Sequence, residues 1–168
     1  MSQSIVVMGV SGAGKSSVGQ ALATQLGAQF IDGDTLHPEA NVQKMASGVP
    51  LTDEDRWPWL HLVGTRLSSS PDNGTIVACS ALRRSYRDAI RTAAPATTFI
   101  LLQADRPALQ DRLDQRPGHF MPASLLTSQL ETLEELQSDE SGLMIESTGG
   151  IDTTVERIRK LLERAVSV

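Results

Sequence analysis

The feature that most constrains this chain is a glycine-rich loop near its N-terminus. Residues 9–16 have the sequence Gly-Val-Ser-Gly-Ala-Gly-Lys-Ser, which satisfies the pattern G-x-x-x-x-G-K-[ST] of a phosphate-binding loop. The loop follows a short apolar run, Ile5–Met8, and precedes a helical pattern, Lys15–Leu26. This order of strand, loop and helix is the context that the motif requires, so we expect an α/β fold that binds a nucleotide.

The loop supplies the predicted ATP contacts. Glycines let backbone N–H groups turn inward, where a Cβ atom would obstruct them, and the helix N-terminus adds its positive end. Lys15 is expected to contact the β and γ phosphates as a catalytic residue, and Ser16 to bind Mg²⁺ through its hydroxyl. The alternative is an ordinary glycine-rich turn. The predicted ATP-binding residues of the loop are Gly9, Val10, Ser11, Gly12, Ala13, Gly14, Lys15, Ser16 and Ser17.

Composition narrows the class of protein. A length of 168 residues with 40% apolar content fits one domain spanning residues 1–168. The net charge of −5 argues against a nucleic-acid partner. The single cysteine, Cys79, excludes an intramolecular disulfide, and no apolar run is long enough to cross a membrane. We therefore expect a soluble, cytoplasmic protein with no membrane partner.

Apolar runs alternate with segments of helical period, which predicts a parallel sheet covered by helices. We expect a three-layer sandwich with a five-stranded parallel sheet, helices on both faces and a small mobile lid. The predicted strands are Ile5–Met8, Gln29–Ile31, Thr75–Cys79, Thr98–Leu102 and Leu143–Ile145. The predicted helices are Lys15–Leu26, Pro38–Ala46, Trp59–Leu67, Pro107–Leu113, Ser124–Leu136 and Asp152–Val166, the last with Asp152 as its N-cap.

Two carboxylates, Asp32 and Asp34, follow the second predicted strand, and Gly33 permits a sharp turn between them. Open parallel sheets bind ligands at the carboxyl ends of their strands. We expect Asp32 to bind Mg²⁺ through a water molecule. We expect Asp34 to orient the acceptor hydroxyl and to act as its general base. The alternative is a solvated turn with no catalytic role.

Other features favour a small-molecule kinase among nucleotide-binding proteins. The Asn-Lys-x-Asp guanine-recognition motif of signalling GTPases is absent from the sequence. The strand Thr75–Cys79 continues into Ser80-Ala81-Leu82 without the acidic residue that closes the corresponding strand of motor and transporter ATPases. The short chain favours the same class.

Arginines are concentrated in one segment. Residues 83–116 contain seven arginines and no lysine. Arg112 and Arg116 are four residues apart, a spacing that predicts one shared face of a helix ended by Pro117-Gly118. We expect a lid over about residues 112–124 that brings these arginines to the ATP phosphates, with Arg116 in a catalytic role and His119 shaping the loop. The alternative is a salt-bridged surface helix.

Many short segments of the chain resemble the short gluconate kinases, which are related to shikimate and nucleoside-monophosphate kinases. The resemblance extends from the first strand to about Glu134 and implies ATP-dependent phosphorylation of D-gluconate to 6-phospho-D-gluconate by a homodimer. It is carried by Met8–Gly12, Asp32-Gly33-Asp34, Leu36-His37-Pro38, Asn41, Lys44-Met45, Gly48, Pro50-Leu51, Asp53, Asp55-Arg56, Trp59-Leu60, Cys79–Leu82, Tyr86-Arg87 and Gly118-His119-Phe120.

Gluconate ends in a carboxylate, so its site needs a cation that can form paired hydrogen bonds. Arg56, Arg83 and Arg87 are the candidates, and the resemblance favours Arg56. His37 and Ser80 could bind hydroxyl groups of the polyol. The family often has lysine where this chain has Arg83 and Arg84, a difference that keeps the charge but changes the geometry. A kinase for shikimate or another small hydroxy-acid is the alternative enzyme, and a non-catalytic nucleotide-binding regulatory module is the alternative outside enzymes.

Three remaining predictions concern packing and the nucleotide base. The turn Ser147–Gly150 approaches adenine in related kinases and is expected to contact the base here. Trp57 and Trp59 are expected to pack rather than to stack on a sugar. Cys79 is expected to be a small buried side chain rather than a nucleophile.

Overall fold

Five parallel strands form the centre of the molecule, which a computed structural model describes over residues 3–117 and 123–167. The sheet has the strand order β2-β3-β1-β4-β5. Its strands are β1 (Ser4–Met8), β2 (Gln29–Asp32), β3 (Thr75–Ala78), β4 (Thr98–Gln103) and β5 (Gly142–Glu146). The helices are α1 (Lys15–Leu26), α2 (Glu39–Ala46), α3 (Asp53–Ser68), α4 (Arg84–Ala93), α5 (Arg106–Asp114), α6 (Ala123–Thr132) and α7 (Ile151–Val166), and a 3₁₀ turn spans Gly33–Leu36.

The two faces of the sheet are both buried. Along β1, Ile5 and Val7 belong to an apolar cluster that contains Leu22 of α1 and Ile158 of α7. The intervening residues of the strand pack on the opposite side, in a cluster that contains Leu60 of α3 and Ile90 of α4. Adjacent residues of a strand point to opposite faces, so the sheet lies between two helical layers. This is the predicted three-layer α/β fold.

All five predicted strands are confirmed to within one residue at each end. The three central strands, β1, β3 and β4, are identifiable because they are short, apolar and buried on both faces. The turns that follow β1, β2 and β3 lie at the same edge of the sheet, because the strands are parallel. The phosphate-binding loop, the Asp32–Asp34 turn and the segment after Ala78 are therefore brought together.

The helix predictions need four corrections. Helix α3 begins at Asp53 rather than Trp59, because Thr52 and Asp55 form a reciprocal capping box that starts the helix a turn and a half before Pro58. Helix α4 was not predicted. Helix α6 ends at Thr132 rather than Leu136, and α7 is capped by Gly150 rather than Asp152.

The lid remains a prediction. Its first residues belong to α5 and the turn after it, and its last two begin α6. Residues 118–122, including His119, lie outside the described residues.

Candidate active site

Three glycines give the loop after β1 its shape. Gly9, Gly12 and Gly14 have φ values of 141°, 86° and 93°, in a range that residues with side chains rarely adopt. At Gly12 an added Cβ would also lie 2.8 Å from the carbonyl oxygen of Leu109. The loop therefore turns tightly against α5 and enters α1 at Gly14, where the helix dipole favours an anion.

Lys15 lies at the start of α1 with its ammonium folded back over the loop. Its Nζ donates a hydrogen bond of 3.1 Å to the carbonyl oxygen of Val10. Burial lowers the pKa of Lys15; the negative charge of Asp34 opposes this effect, and the positive charge of Arg116 adds to it. Two of the residues predicted to be catalytic, Asp34 and Arg116, thus act electrostatically on the third, Lys15, a partly buried cation whose charge a phosphate would compensate.

Ser16 and Asp32 meet beside the loop. The Ser16 hydroxyl lies 3.4 Å from Oδ2 of Asp32, so the two oxygen donors predicted to serve Mg²⁺ are brought together. Such hard donors suit Mg²⁺, which usually keeps several waters and shares its remaining ligands with phosphate. Among residues 3–117 and 123–167, no group of three or more His, Cys, Asp or Glu side chains could hold a metal by itself. The donor set fits a phosphate-bound Mg²⁺.

Asp34 is presented by the 3₁₀ turn after β2. Oδ1 of Asp32 accepts a hydrogen bond of 3.1 Å from the Asp34 N–H, and the buried indole of Trp59 donates one of 2.8 Å to the carbonyl oxygen of Gly33. A Cβ at Gly33 would lie 2.5 Å from the carbonyl oxygen of Ala78, so only glycine fits there. These contacts hold the backbone of the turn in place, while the Asp34 carboxylate stays exposed.

His37 lies on the acceptor side of the site but is held by packing. Its ring stacks on Trp59 at a centroid distance of 4.0 Å, and its Nδ1 lies 3.3 Å from the Asn41 amide nitrogen. Burial lowers the pKa of His37, with Asp34 opposing and Arg56 adding to the shift. The predicted packing role of Trp59 is confirmed, whereas contact between His37 and a hydroxyl group stays a prediction.

Arg56 and Arg83 converge on one aromatic ring. The Arg56 guanidinium lies 5.4 Å from the centre of the Tyr86 ring, and that of Arg83 lies 5.9 Å from it. Asp53 accepts hydrogen bonds from the Tyr86 hydroxyl, at 2.7 Å, and from Arg56, at 3.3 Å. Arg56 is only partly buried and Arg83 is exposed, so both keep donors available to a bound carboxylate.

Arg87 does not reach this site, and its predicted contact with substrate is wrong. The side chain is completely buried and forms a two-point ion pair with Glu140, at 2.7 and 2.9 Å. Its other donors bond the carbonyl oxygens of Ala81, Leu82 and Glu135. All three guanidinium nitrogens of Arg87 donate hydrogen bonds inside the protein, so Arg87 is not available to bind a ligand.

The segment that Arg87 holds is itself part of the site. Ser80, predicted to bind substrate, is followed by Ala81, which has a φ of 44°. This left-handed conformation is strained for a residue with a side chain. The Ser80 carbonyl accepts a hydrogen bond from Gly9 N–H, so the segment is joined to the phosphate-binding loop. Cys79 beside it is buried, as predicted, and burial raises its pKa to about 12, which disfavours the thiolate that a nucleophile needs.

A cavity of about 260 Å³ opens beside the loop. Arg112 and Arg116 line it with Gly12, Ala13, Gly14, Ser17, Ser147 and Gly150. Arg112 donates hydrogen bonds to the carbonyl oxygens of Gly12 and Ala13 and to Ser147. The structure therefore gathers the loop, both predicted phosphate-binding arginines and the turn predicted to contact adenine around one cavity.

Sequence reasoning missed two contributors. Gln129 of α6 bonds Ser11 in the loop, and Asp53 bonds both Tyr86 and Arg56. Gln129 is 118 residues from Ser11 along the chain, and no local pattern marks such a contact. The capping signal Thr52-Asp53-Glu54-Asp55 could have placed Asp53 at a helix start beside Arg56.

Comparison with known proteins agrees with this geometry. Residues 5–136 match the model of a family described as AAA domain. A gluconokinase from Gluconobacter oxydans is 47% identical, over 92% of this chain and 88% of its own. The crystal structure of a gluconokinase from Sinorhizobium meliloti is 46% identical with a TM-score of 0.86, covering 98% of this chain and 95% of the other.

More distant similarity concerns the fold alone. The structure of shikimate kinase from Acinetobacter baumannii, solved with shikimate, has a TM-score of 0.63 at 18% identity, covering 98% of this chain and 95% of the other.

In the described part of the chain, no helix combines the length and the apolar character needed to cross a membrane.

Proposed function

This chain belongs to the gluconokinases within the AAA-domain family, and from this we propose that it transfers the γ-phosphoryl group of ATP to D-gluconate, forming 6-phospho-D-gluconate. The observation that carries the proposal is that cations gather at two places near the loop. Arg112 and Arg116 line the cavity beside the loop. Arg56 shares the Tyr86 ring with Arg83, and its charge acts on His37 together with that of Asp34. A donor and an acceptor that are both anionic need such an arrangement.

On the nucleotide side, residues 9–17 would hold the phosphates with backbone N–H groups and the N-terminus of α1. Lys15 would neutralise charge that develops on the transferred group. Arg112 and Arg116 would bind phosphate oxygens, with Arg116 acting on the transferred group because its charge reaches Lys15. Ser147 and Gly150 would face the base.

On the acceptor side, Asp34 would orient the reacting hydroxyl and accept its proton. Its exposure on a fixed turn supports this role. Arg56 and Arg83 would hold the carboxylate of gluconate, and His37 and Ser80 would bind hydroxyl groups between the two ends. Because gluconate is linear, this arrangement would place its acid end away from the hydroxyl that reacts.

Mg²⁺ would be held by the Ser16 hydroxyl and, through water, by Asp32. When bound, the ion neutralises phosphate charge and orients the transferred group. The chain's own contribution would be to keep these two oxygen donors together at the end of the loop.

Steady-state kinetics with a set of acceptors tests the proposal. ADP release with ATP and Mg²⁺ should require D-gluconate and should not occur with shikimate or D-glucose. Release with shikimate alone would support the alternative small-acid kinase. ATP binding without turnover on any acceptor would support a regulatory module. The homodimer that the family resemblance implies stays a prediction, which light scattering can check.

A further inference from the structure

The peptide between Val10 and Ser11 is held on both sides by side chains. Its carbonyl oxygen accepts the 3.1 Å hydrogen bond from Lys15 Nζ. Its N–H donates a hydrogen bond of 2.7 Å to Oε1 of Gln129, on α6. The carbonyl and N–H of a trans peptide point in opposite directions, so the two side chains fix the rotation of one rigid plane.

Gln129 makes a second contact that fixes its own orientation. Since the Ser11 N–H can only donate, the amide oxygen of Gln129 must face it, and the amide nitrogen then faces the Ser11 hydroxyl at 3.1 Å. The side chain is partly buried. Helix α6 is anchored in the core by Leu126, which is completely buried. Gln129 is thus a rigid support that reaches the loop from another part of the fold.

We propose that Gln129 is a positioning residue for phosphoryl transfer, acting through the Val10–Ser11 peptide on Lys15. By holding the N–H, it turns the Val10 carbonyl toward Lys15 and keeps the ammonium in place before ATP binds. Hydrogen bonds at both ends of a peptide also polarise it in the same sense, which strengthens the hydrogen bond between the Val10 carbonyl oxygen and the Lys15 ammonium. When Lys15 is already ordered, less of the free energy of ATP binding is used to order it.

The alternative is that Gln129 only joins α6 to the loop. A double-mutant cycle separates the two roles, because residues that act on the same group do not have additive effects. The inference rests on the proposed use of ATP, so the measurement is the affinity for ATP by calorimetry, without acceptor. Failure of the unmodified protein to bind ATP would contradict the proposed function, whereas an unchanged affinity in Gln129 variants contradicts this inference alone.

Gln129→Met keeps the length of the side chain and removes both hydrogen bonds. We expect it to weaken ATP binding ~10-fold, the usual scale for one lost hydrogen bond near a charge, with the gluconate KM unchanged within about twofold. In a Lys15→Met background, adding Gln129→Met should change ATP affinity by less than about twofold. Ser128→Ala, an exposed neighbour on α6, is the matched control and should match the unmodified protein.

Equal losses in the two backgrounds would show that Gln129 does not act through Lys15, and no loss in either would remove it from nucleotide binding. Gln129→Asn serves as a second variant if Gln129→Met folds poorly. Its amide is one methylene too short to reach Ser11, so a comparable loss is expected. Full ATP affinity with Gln129→Asn would overturn the proposal.

Discussion

At the scale of single residues, Lys15 lowers the stability of the folded protein while serving the proposed function. Its ammonium is partly buried beside a carbonyl oxygen and within range of the cation Arg116, and this burial lowers its pKa. A base whose pKa is lower in the folded protein opposes folding while it is protonated, and this cost is relieved only as the pH rises above the lowered value. The cost is fully present below the lowered pKa and disappears as the pH rises toward the ordinary value of 10.5.

Lys15→Met should therefore separate stability from activity. We expect the Tm of the free protein to stay at or above that of the unmodified protein, because a buried charge is removed. The rise in Tm caused by ATP should be smaller, because ATP binds more weakly without the ammonium, and kcat should fall on the order of 10²-fold or more. Thermal scans with and without ATP check this. A large fall in the Tm of the free protein would contradict the account of the buried ammonium.

Asp34 is the residue whose chemistry is most specific. Asp34→Asn keeps its size and its place on the turn but cannot accept the acceptor proton. We expect kcat to fall by ~10²–10⁴ with ATP affinity unchanged. Asp72→Asn, at another exposed aspartate, is the control and should keep full activity. Unaltered turnover in Asp34→Asn would remove Asp34 from the mechanism.

A residue's role could be predicted where it depends on neighbours in the sequence, and could not where it depends on a distant partner. The residues of the phosphate-binding loop are adjacent in the sequence, and their spacing alone indicates their chemistry. Arg87 resembles Arg56 and Arg83 in sequence, but its partner Glu140 is 53 residues further along the chain. Only the folded structure distinguishes an arginine that binds a ligand from one that holds the interior together.

At the scale of elements, α4 and the segment after α6 form one polar unit. Glu140 is buried between Arg87 and Arg91, and Arg84 forms a paired ion contact with Asp139. Three residues of the arginine-rich segment, Arg84, Arg87 and Arg91, are thus explained by ion pairs with acidic residues. Of its seven arginines, Arg83, Arg112 and Arg116 face the candidate site. Helix α4 escaped prediction because its buried side includes an arginine and few apolar residues.

The ion pair of Glu140 should make stability depend on pH. Burial raises the pKa of Glu140, but hydrogen bonds from Arg87, the Gln137 N–H and Arg91 outweigh this effect and lower it to about 2. A carboxyl group with a lowered pKa stabilises the fold fully above its ordinary value of 4.5. This contribution is lost as the pH falls toward and through about 2.

Glu140→Gln should then lower the free energy of unfolding by about 3–5 kcal/mol at pH 7, since it leaves Arg87 buried without its countercharge. The difference from the unmodified protein should shrink below pH 4.5. Urea unfolding at several pH values measures it. Glu163→Gln, in an exposed ion pair on α7, is the control and should change stability by less than about 1 kcal/mol. A pH-independent difference would contradict the assignment.

At the scale of the whole molecule, the sheet brings together groups from distant parts of the chain. The order β2-β3-β1-β4-β5 sets the loop after β1 beside the turns that follow β2 and β3. The parallel sheet and the shared edge of these turns were predictable from the apolar strands and the motif, whereas the strand order was not. The contacts that complete the site were not, because Gln129, Ser147 and Tyr86 depend on where α6, β5 and α4 pack.

A crystal structure with D-gluconate and a non-hydrolysable ATP analogue tests the central claim most directly. We predict phosphates along residues 9–17, the gluconate carboxylate on Arg56 or Arg83, and the terminal hydroxyl beside Asp34. Gluconate bound with its carboxylate at Asp34's end of the site, or away from both arginines, would contradict the account.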